Sequence, residues 1–366
     1  MASSTPVVFR LAIVMVVALG MIMLAAASTG TSAEDEDPDS IVRNLDPSDL
    51  PSGWELPAHT GHVVDYQASE WNQYLIQGES NRAADYGITF SVVDAGLDTD
   101  ASLAGIDELL EQGIAVLNYT AVNPDAVSTR LAEIAGDMPV ICATSSVEGC
   151  TTVVTADNYG AAFAVGVWAG HYVEEHLGGT AELLDVRYEA LESMNERSRG
   201  FQDGLRSVLG DDQVTVISVD GNGLSDVAVS VAAAALQEHQ SVNVIFGIND
   251  DSAIGAMQAY ESAGLNLERL LVVGFGCDGN ACRDLLMDNG PFKVSAATFP
   301  EYQGRLLIDA GVAAFNGVDL PEVLIAPSVP MTSLNVEQYY SLGDDDTYSP
   351  NFTAISSIPV EPWQGS

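Results

Sequence analysis

The sequence predicts an α/β protein with two similar lobes, each built on a mainly parallel β-sheet. Apolar, β-branched runs alternate with helical stretches through most of the 366 residues, and this alternation is typical of parallel sheets covered by helices. In the clearest unit, a strand over 242–248 is followed by a helix over 252–263 and a second strand over 270–275. About eleven strand-like runs are too many for one compact sheet, so we expect two lobes.

Each predicted element follows from its hydrophobic pattern. Apolar runs bounded by polar or turn residues predict the strands, and apolar residues at helical spacing predict the helices between them. In the first helix, Trp71, Tyr74, Leu75 and Gly78 share one face. Short strands near 152–157, 298 and 326 would carry the chain between the lobes. The predicted strands are 62–66, 88–94, 114–118, 138–143, 152–155, 181–186, 214–219, 242–248, 270–275, 293–298 and 323–329; helices include 70–86, 102–112, 124–136, 159–176 and 224–239.

The two ends of the chain differ from this pattern. Residues 1–28 are typical of an export signal, since Arg10 precedes an apolar run over 11–27 that ends in small residues. The alternative is an uncleaved membrane anchor, because the run nearly reaches spanning length. Residues 29–60 are rich in Asp, Glu, Ser and Pro and predict a flexible acidic tether. The proline-containing residues 341–366 predict an irregular tail.

The charge balance excludes one class of partner. The net charge is −40, from 12 basic and 52 acidic residues. Nucleic acid is a poor partner for such a chain, because phosphate binding needs clustered Lys and Arg. A cationic partner could exploit the charge. We favour instead a solvated acidic surface suited to saline surroundings, where charges are screened within ~3 Å at molar salt.

The four cysteines fall into two local pairs. Cys142 and Cys150 form one pair, and Cys277 and Cys282 form the other. An exported chain can keep disulfides, and four cysteines allow three connectivities. We expect local pairing that pins a loop after a strand end. A four-thiolate zinc site is the alternative, although the spacing of the first pair is wrong for the usual ligand knuckle.

Polar residues follow the strands of the clearest unit. Asn249 and Asp250 follow the strand over 242–248, and Asp278 follows the strand over 270–275. Open α/β sheets bind ligands beyond the carboxyl ends of their strands. We therefore expect Asn249 to contact a ligand, Asp278 to be a further candidate, and Asp250 to cap the following helix.

Several short sequence motifs resemble, in their order and spacing, those of the ribose/galactose-type periplasmic solute-binding proteins. They are Asp157-Asn-Tyr-Gly160, Arg197-x-x-Gly-Phe201, Phe246-Gly-Ile-Asn-Asp250, Val272-Val-Gly-Phe275 and Pro300…Gly304. The similarity runs from about His62 to Val336. It implies two Rossmann-like lobes joined by three crossovers in a type I clamshell, with a small polar ligand, often a sugar, trapped as the lobes close. It also implies delivery to the membrane permease of an ABC transporter.

The resemblance and the polar residues at the strand ends together indicate the candidate ligand-binding residues. Trp71 is the candidate for stacking on a sugar, because it begins the first helix where the family places aromatics; its alternative role is packing in the core. Asp157 either contacts ligand or caps its helix. The resemblance adds Asn195 and Arg197, although Arg197 could instead brace its lobe. The full set is Trp71, Asn72, Asn118, Asp157, Asn195, Arg197, Asn222, Asn249, Asp278 and Thr298.

The chain departs from the family at three places. Thr144-Ser145 replaces an Asp-Arg pair, the family's Gly-Phe-Asp-Gly becomes the longer 274–279, and Thr298 replaces a Gln. These departures do not change the expected fold. They do mean that the identity of the ligand cannot be taken over from the family.

The expected domain boundaries follow from the lobes and the two ends. They are 1–28 (signal or anchor), 29–60 (tether), 61–157 with 299–325 (first lobe), 158–298 with 326–340 (second lobe) and 341–366 (tail). We expect an exported monomer in the periplasm or at the cell surface, without cofactor or metal.

Other functions remain as alternatives. The same clamshell could present its closed form to a chemoreceptor or sensor kinase. Residues 274–279 also match G-x-G-x-x-G, with Glu301 further along, so a nicotinamide-dependent oxidoreductase is a remote alternative. His59 and His62 could chelate a metal, and Asn118 and Asn351 match the glycosylation pattern. No nucleophile elbow or Walker loop occurs, so we expect no enzyme activity.

Overall fold

The computed structural model describes residues 37–121, 123–344 and 346–360. The predicted signal or anchor, and the tether up to residue 36, lie outside these residues. The strands are β1 (His59–Val64), β2 (Thr89–Asp94), β3 (Val116–Thr120), β4 (Val140–Ala143), β5 (Thr152–Ala156), β6 (Ala181–Arg187), β7 (Val214–Asp220), β8 (Val244–Gly247), β9 (Leu271–Gly276), β10 (Phe292–Ala297), β11 (Val323–Ala326), β12 (Val329–Met331), β13 (Tyr340–Leu342) and β14 (Tyr348–Pro350).

Helices follow nearly every strand. They are α1 (Pro38–Asn44), α2 (Glu70–Tyr86), α3 (Thr99–Glu111), α4 (Pro124–Ala135), α5 (Asn158–His176), α6 (Glu192–Leu209), α7 (Ser225–Glu238), α8 (Asp250–Ser262), α9 (Asn280–Met287), α10 (Pro300–Phe315), α11 (Val336–Tyr339) and α12 (Phe352–Ser356). Within the described ranges, no helix combines the length and the apolar content needed to cross a bilayer.

The strands form two six-stranded sheets, which confirms the predicted two-lobe α/β class. The first sheet has the order β11-β5-β4-β3-β1-β2, with every neighbouring pair parallel. The second has the order β12-β10-β9-β8-β6-β7, and there only β12 runs antiparallel to its neighbour. Their central strands are buried on both faces, as expected of parallel sheets covered by helices.

The chain passes between the two sheets three times. It does so between β5 and β6, between β10 and α10, and between β11 and β12. The lobe boundaries predicted from the sequence lie at 157, 298 and 325, next to these crossings. Three crossings between the same two lobes form a shared hinge, which is the arrangement needed for hinge closure around a ligand.

Residues 37–58 differ from the predicted flexible tether. Val42 is fully buried in the core, and Arg43 donates a hydrogen bond from Nη2 to the carbonyl of Ile325 at 2.7 Å. Arg82 donates to the carbonyl of Leu45 at 2.6 Å. The acidic composition of the whole segment obscured the short apolar pattern of α1, which attaches this part of the chain to the first lobe.

The tail also has more structure than predicted. Strands β13 and β14 form an antiparallel hairpin, and Ile355 of α12 is fully buried. The turn is closed by a hydrogen bond from the Gly343 N–H to the Thr347 carbonyl at 2.8 Å. Asp344 and Asp346 lie in this turn and Pro350 ends β14, where they interrupt no helix.

Both predicted disulfides are present. Cys142 pairs with Cys150 between β4 and β5, and Cys277 pairs with Cys282 between β9 and α9. All four sulfurs are used in these bonds, so the alternative zinc site is wrong.

Two helices of the first lobe, α2 and α10, approach closely at glycines. A Cβ at Gly78 would collide with the backbone carbonyl of Glu301, and a Cβ at Gly304 would collide with that of Leu75. The contact matters for function, because α2 carries residues of the cleft at its first turn and α10 begins at the hinge.

We predict that Gly304→Ala destabilises the protein by ~1–3 kcal/mol, because the added methyl group forces the two helices apart. Urea unfolding measures the change. Gly290→Ala is the matched control, since no atom lies within 4 Å of its added methyl group. Equal stability of the two variants would contradict the close packing.

Candidate ligand site between the lobes

A cavity of about 380 Å³ lies between the lobes, beyond the carboxyl ends of β1, β8 and β9. The first lobe contributes the β1–α2 loop and the first turn of α2. The second lobe contributes the segments that follow β7, β8 and β9. The lining residues are Tyr66, Ala68, Ser69, Glu70 and Trp71 from the first lobe, and Gly223, Leu224, Asn249, Asp250, Asp251, Ile254, Asp278, Gly279, Ala281 and Cys282 from the second.

Trp71 supplies the largest aromatic surface of this cavity. The Ser69 side chain accepts a hydrogen bond from the Asn72 N–H and so begins α2 just before Trp71. Trp71 is partly buried and lines the cavity, so its indole can present a flat apolar face to the C–H groups of a ligand.

Asn72, the neighbour of Trp71, points elsewhere. Its side-chain amide donates to Asp65 Oδ1 at 2.7 Å and to the Tyr66 carbonyl at 2.8 Å. These two bonds direct the Asn72 side chain toward the β1–α2 loop. Asn72 therefore holds the β1–α2 loop in place and lies outside the cavity lining.

The roles predicted for Asn249 and Asp250 are partly reversed. Asn249 is the N-cap of α8, since its Oδ1 accepts from the Ser252 N–H at 2.9 Å. Its Nδ2 donates to the Gly223 carbonyl at 2.9 Å and fixes a second loop of the cavity. Asn249 still lines the cavity. The predicted cap at Asp250 was wrong, because it is the preceding residue, Asn249, that keeps the extended backbone of a cap.

Asp250 is instead a buried member of the site. Its Oδ1 accepts from the Ser295 hydroxyl at 2.7 Å, and its Oδ2 lies 3.4 Å from the Asp278 N–H. Burial raises the pKa of Asp250 to about 7. Burial, and then the charge of Asp250, raise the pKa of Asp278 well above its ordinary value. Burial thus favours the protonated form of both carboxyl groups, and a protonated carboxyl group can donate to a ligand hydroxyl group as well as accept from one.

Two further carboxylates of the cavity were not predicted. Glu70 reaches across from the first lobe, where it lies against Gly279 and accepts the backbone N–H of Asn280 at the start of α9. Burial and the charge of Asp251 raise the pKa of Glu70. The second carboxylate is Asp251. The signal that could have identified both is their position in the first turns of the helices that follow β1 and β8, and Glu70 makes a direct contact between the lobes.

Asn118 lies in the core of the first lobe and not in the cavity. It is fully buried, and its Nδ2 donates to Glu79 Oε1 at 2.7 Å. The other oxygen of Glu79 pairs with His62 Nδ1 at 2.7 Å, and His62 Nε2 contacts the Thr120 hydroxyl at 2.9 Å. Strand β3 continues to Thr120, so Asn118 is not at its end. The buried side chain is also inaccessible to glycosylation, and His62 faces Glu79 and Thr120 rather than a metal.

Arg197 and Asn195 of α6 brace the second lobe. The Arg197 guanidinium lies 4.0 Å from the ring centre of Phe275, and it donates to the Ile248 carbonyl at 2.9 Å and to Asn158 Oδ1 at 2.8 Å. The positive charge of Arg197 lowers the pKa of the Asp278 carboxyl group and so partly offsets the effect of burial. Asn195 bonds the Glu189 carbonyl at 3.2 Å. Neither residue belongs to the cavity lining.

Three remaining candidates lie outside the lining as well. Asp157 accepts from the Gly160 N–H at 2.8 Å, so the structure gives it the capping role. Asn222 is exposed, with a positive φ of 52°, next to the lining residue Gly223. Thr298 is buried at the hinge, where its N–H donates to the Gly276 carbonyl at 2.9 Å. Of the ten candidates, the structure thus brings Trp71, Asn249 and Asp278 together in the cavity.

Behind the cavity, Arg283 connects both lobes and the tail. Its guanidinium is fully buried and lies 3.6 Å from the ring centre of Tyr340. Its Nη2 lies 3.3 Å from Glu301 Oε1 and 3.3 Å from the carbonyls of Cys277 and Asp278. The tyrosine hydroxyl donates to Glu301 Oε2 at 3.2 Å. Glu301 therefore serves the hinge, not the ribose of a dinucleotide.

We predict that Asp250 makes stability depend on pH. Its pKa of about 7 in the folded protein exceeds its ordinary value of 3.8, so the folded state keeps the proton longer than the unfolded state. Its contribution is fully present below pH 4 and is lost as the pH rises to 7. From pH 5 to pH 8 the free energy of unfolding should fall by roughly 2–3 kcal/mol through this residue.

Urea unfolding of wild type and Asp250→Asn at both pH values isolates this contribution. The variant should lose that part of the pH dependence. Asp157→Asn is the control, because an exposed cap residue that becomes Asn still caps its helix. An equal pH dependence in wild type and Asp250→Asn would contradict a raised pKa at Asp250.

Comparison with known proteins agrees with this architecture. Residues 60–319 match the family described as periplasmic binding protein domain. The ribose import binding protein RbsB of Bacillus subtilis is 26% identical over 292 residues, which cover 76% of this chain and 90% of that protein. RbsB of Escherichia coli is 25% identical over 252 residues, 66% of this chain and 80% of that protein.

Solved structures show the same fold. An ABC transporter solute-binding protein from Mycobacterium smegmatis with bound glycerol has a TM-score of 0.69 at 22% identity, over 80% of this chain and 99% of that one. A Caulobacter myo-inositol-binding protein bound to myo-inositol has a TM-score of 0.67 at 20% identity, over 79% and 97%. The relatives are binding proteins rather than enzymes, which argues against the oxidoreductase alternative. With its two crossover-linked lobes and a family match over most of its length, the chain belongs to the periplasmic binding protein domain family.

Proposed function

We propose that this protein is an exported solute-binding protein that captures a sugar or polyol between its lobes and delivers it to the permease of an ABC transporter. The observation that supports this proposal is the cavity itself. It combines the indole of Trp71 from one lobe with Asn249, Asp250 and Asp278 from the other. A sugar needs both an apolar face and paired donors and acceptors for its hydroxyls. The names of the relatives, which describe ribose import and bound polyols, support this ligand class.

Binding would act through closure of the hinge. Because the cavity has walls from both lobes, a ligand that contacts both walls stabilises the closed arrangement more than an open one. The acidic lining adds selectivity, since carboxylates left without a hydroxyl partner in a closed cavity would be costly. We further propose that the protein acts as a monomer, with Trp71 stacking on the ligand and Asn249 donating to it.

Isothermal titration calorimetry tests the ligand class. We expect saturable heat with at least one of D-ribose, D-allose, myo-inositol and glycerol, and weaker binding of the same ligand by Trp71→Ala. Trp168→Phe is the control, because Trp168 packs in the second lobe beside Tyr172 at 5.5 Å and lies outside the cavity lining. Absence of heat across the whole panel, extended to further pentoses and hexoses, would reject a sugar or polyol ligand.

We predict that Asn249→Ser weakens ligand binding by ~1–3 kcal/mol, because a ligand hydroxyl loses its amide partner. Serine keeps the helix cap but loses the bond to the Gly223 carbonyl, so the melting temperature should fall less than in Asn249→Ala. Asn249→Ala is the comparison, since it removes the cap as well and should lower stability by about 1 kcal/mol. Unchanged affinity in Asn249→Ser would remove Asn249 from the binding site.

A further inference from the structure

A second cavity, of about 170 Å³, lies in the first lobe where α1, α2, α10 and α12 meet. Its walls include Arg43, Arg82, Arg305, Asp309 and Phe352. It lies away from the ligand cleft, because Arg82 is twelve residues beyond Glu70 on α2, a helical distance of about 18 Å.

The charge of this cavity is opposite to that of the molecule. The chain has 12 basic and 52 acidic residues, yet three arginines and one carboxylate line this space. With acidic residues in such excess, arginines that converge from three different helices are not a consequence of composition.

Two of the three arginines already have carboxylate partners. Arg43 Nε lies 2.6 Å from Asp39 Oδ2, and Arg82 Nε lies 2.7 Å from Asp309 Oδ1. Each also donates to a backbone carbonyl. These bonds fix both guanidinium groups at the cavity wall.

Arg305 differs from the other two. It is partly buried, and its guanidinium lies 4.3 Å from the ring centre of Phe352. Across residues 37–360, apart from positions 122 and 345, no carboxylate forms an ion pair with it. Burial, and then the like charge of Arg82, lower the pKa of Arg305. A bound anion would relieve both effects.

Hydroxyl groups complete the wall. Tyr302, Thr353 and Ser356 line the same cavity, and each hydroxyl can donate a hydrogen bond. The planar fork of an arginine matches the oxygens of phosphate or sulfate in a bidentate manner. The donors around this space therefore suit a polyatomic oxyanion better than a halide ion.

We propose that this cavity is a binding site for a small oxyanion such as phosphate or sulfate, held by Arg305 with Arg82 and Arg43 at its sides. The bound anion joins α1 and α12, from the two ends of the described chain, to α2 and α10 of the first lobe. The site is independent of the proposed sugar function, because its residues do not line the cleft.

Calorimetric titration with sodium phosphate and with sodium sulfate tests this site, at an ionic strength held constant with NaCl. Wild type should bind at least one of the two anions saturably with one site per chain. Arg305→Gln should bind at least about tenfold more weakly, whereas Arg305→Lys, which keeps the charge, should fall between them. Arg269→Gln, an exposed arginine of the second lobe, is the control and should bind like wild type.

Thermal unfolding gives a second measurement. The bound anion should raise the melting temperature of wild type and of Arg269→Gln, and should raise that of Arg305→Gln less. Absence of saturable binding of both anions to wild type would overturn the proposal, even if Arg305→Gln did not fold. Equal anion affinity in wild type and Arg305→Gln would overturn it as well.

Discussion

The buried guanidinium of Arg283 is the interaction on which the arrangement of the site depends. It bonds the carbonyls of Cys277 and Asp278 in the second lobe, pairs with Glu301 at the start of α10, and stacks on Tyr340 of the tail. A charge removed from water is costly unless it is paired and hydrogen-bonded. If the loop that carries Asp278 moved away, Arg283 would lose two of its hydrogen-bond acceptors and keep only Glu301. The Cys277–Cys282 disulfide restrains the same loop.

This arrangement gives the two walls of the cleft different properties. The second-lobe wall is rigid, since Asn249 caps α8, Asp250 is bonded by Ser295, and Asp278 lies on the pinned loop. The first-lobe wall is carried by the first turn of α2, whose later turns pack against α10 at Gly78 and Gly304. A closing motion at the hinge would move Trp71 and Glu70 together toward the carboxyl groups of the second lobe.

Two carboxyl groups of the acidic lining, those of Asp250 and Asp278, keep their protons to a higher pH than an ordinary aspartate does. Asp250 and Asp278 are close enough for each to influence the other, and both have raised pKa values. A pair that shares protons can offer a donor and several acceptors in a small space. That property suits neighbouring hydroxyl groups on a ligand.

The sequence was informative where local pattern determines the structure. Alternating runs predicted both sheets, and strand ends predicted Asn249 and Asp278 as cavity residues. The sequence was less informative where the direction of a side chain decides whether the residue lines the cavity. Asn118 lies in mid-strand and faces Glu79. Asn72 faces the loop of its own lobe while Trp71 lines the cavity. The role of Arg283 could not be predicted, because a lone arginine in a short helix has no local signature and its side-chain partners, Glu301 and Tyr340, lie further along the chain.

Small-angle X-ray scattering can show whether a ligand that binds between the lobes also closes them. The radius of gyration would be measured during titration with whichever of D-ribose, D-allose or myo-inositol binds by calorimetry. We expect a saturable decrease with the same midpoint as the calorimetric binding curve, and no decrease in Trp71→Ala at that ligand concentration. A ligand that binds by calorimetry without changing the radius of gyration would contradict closure around the cleft.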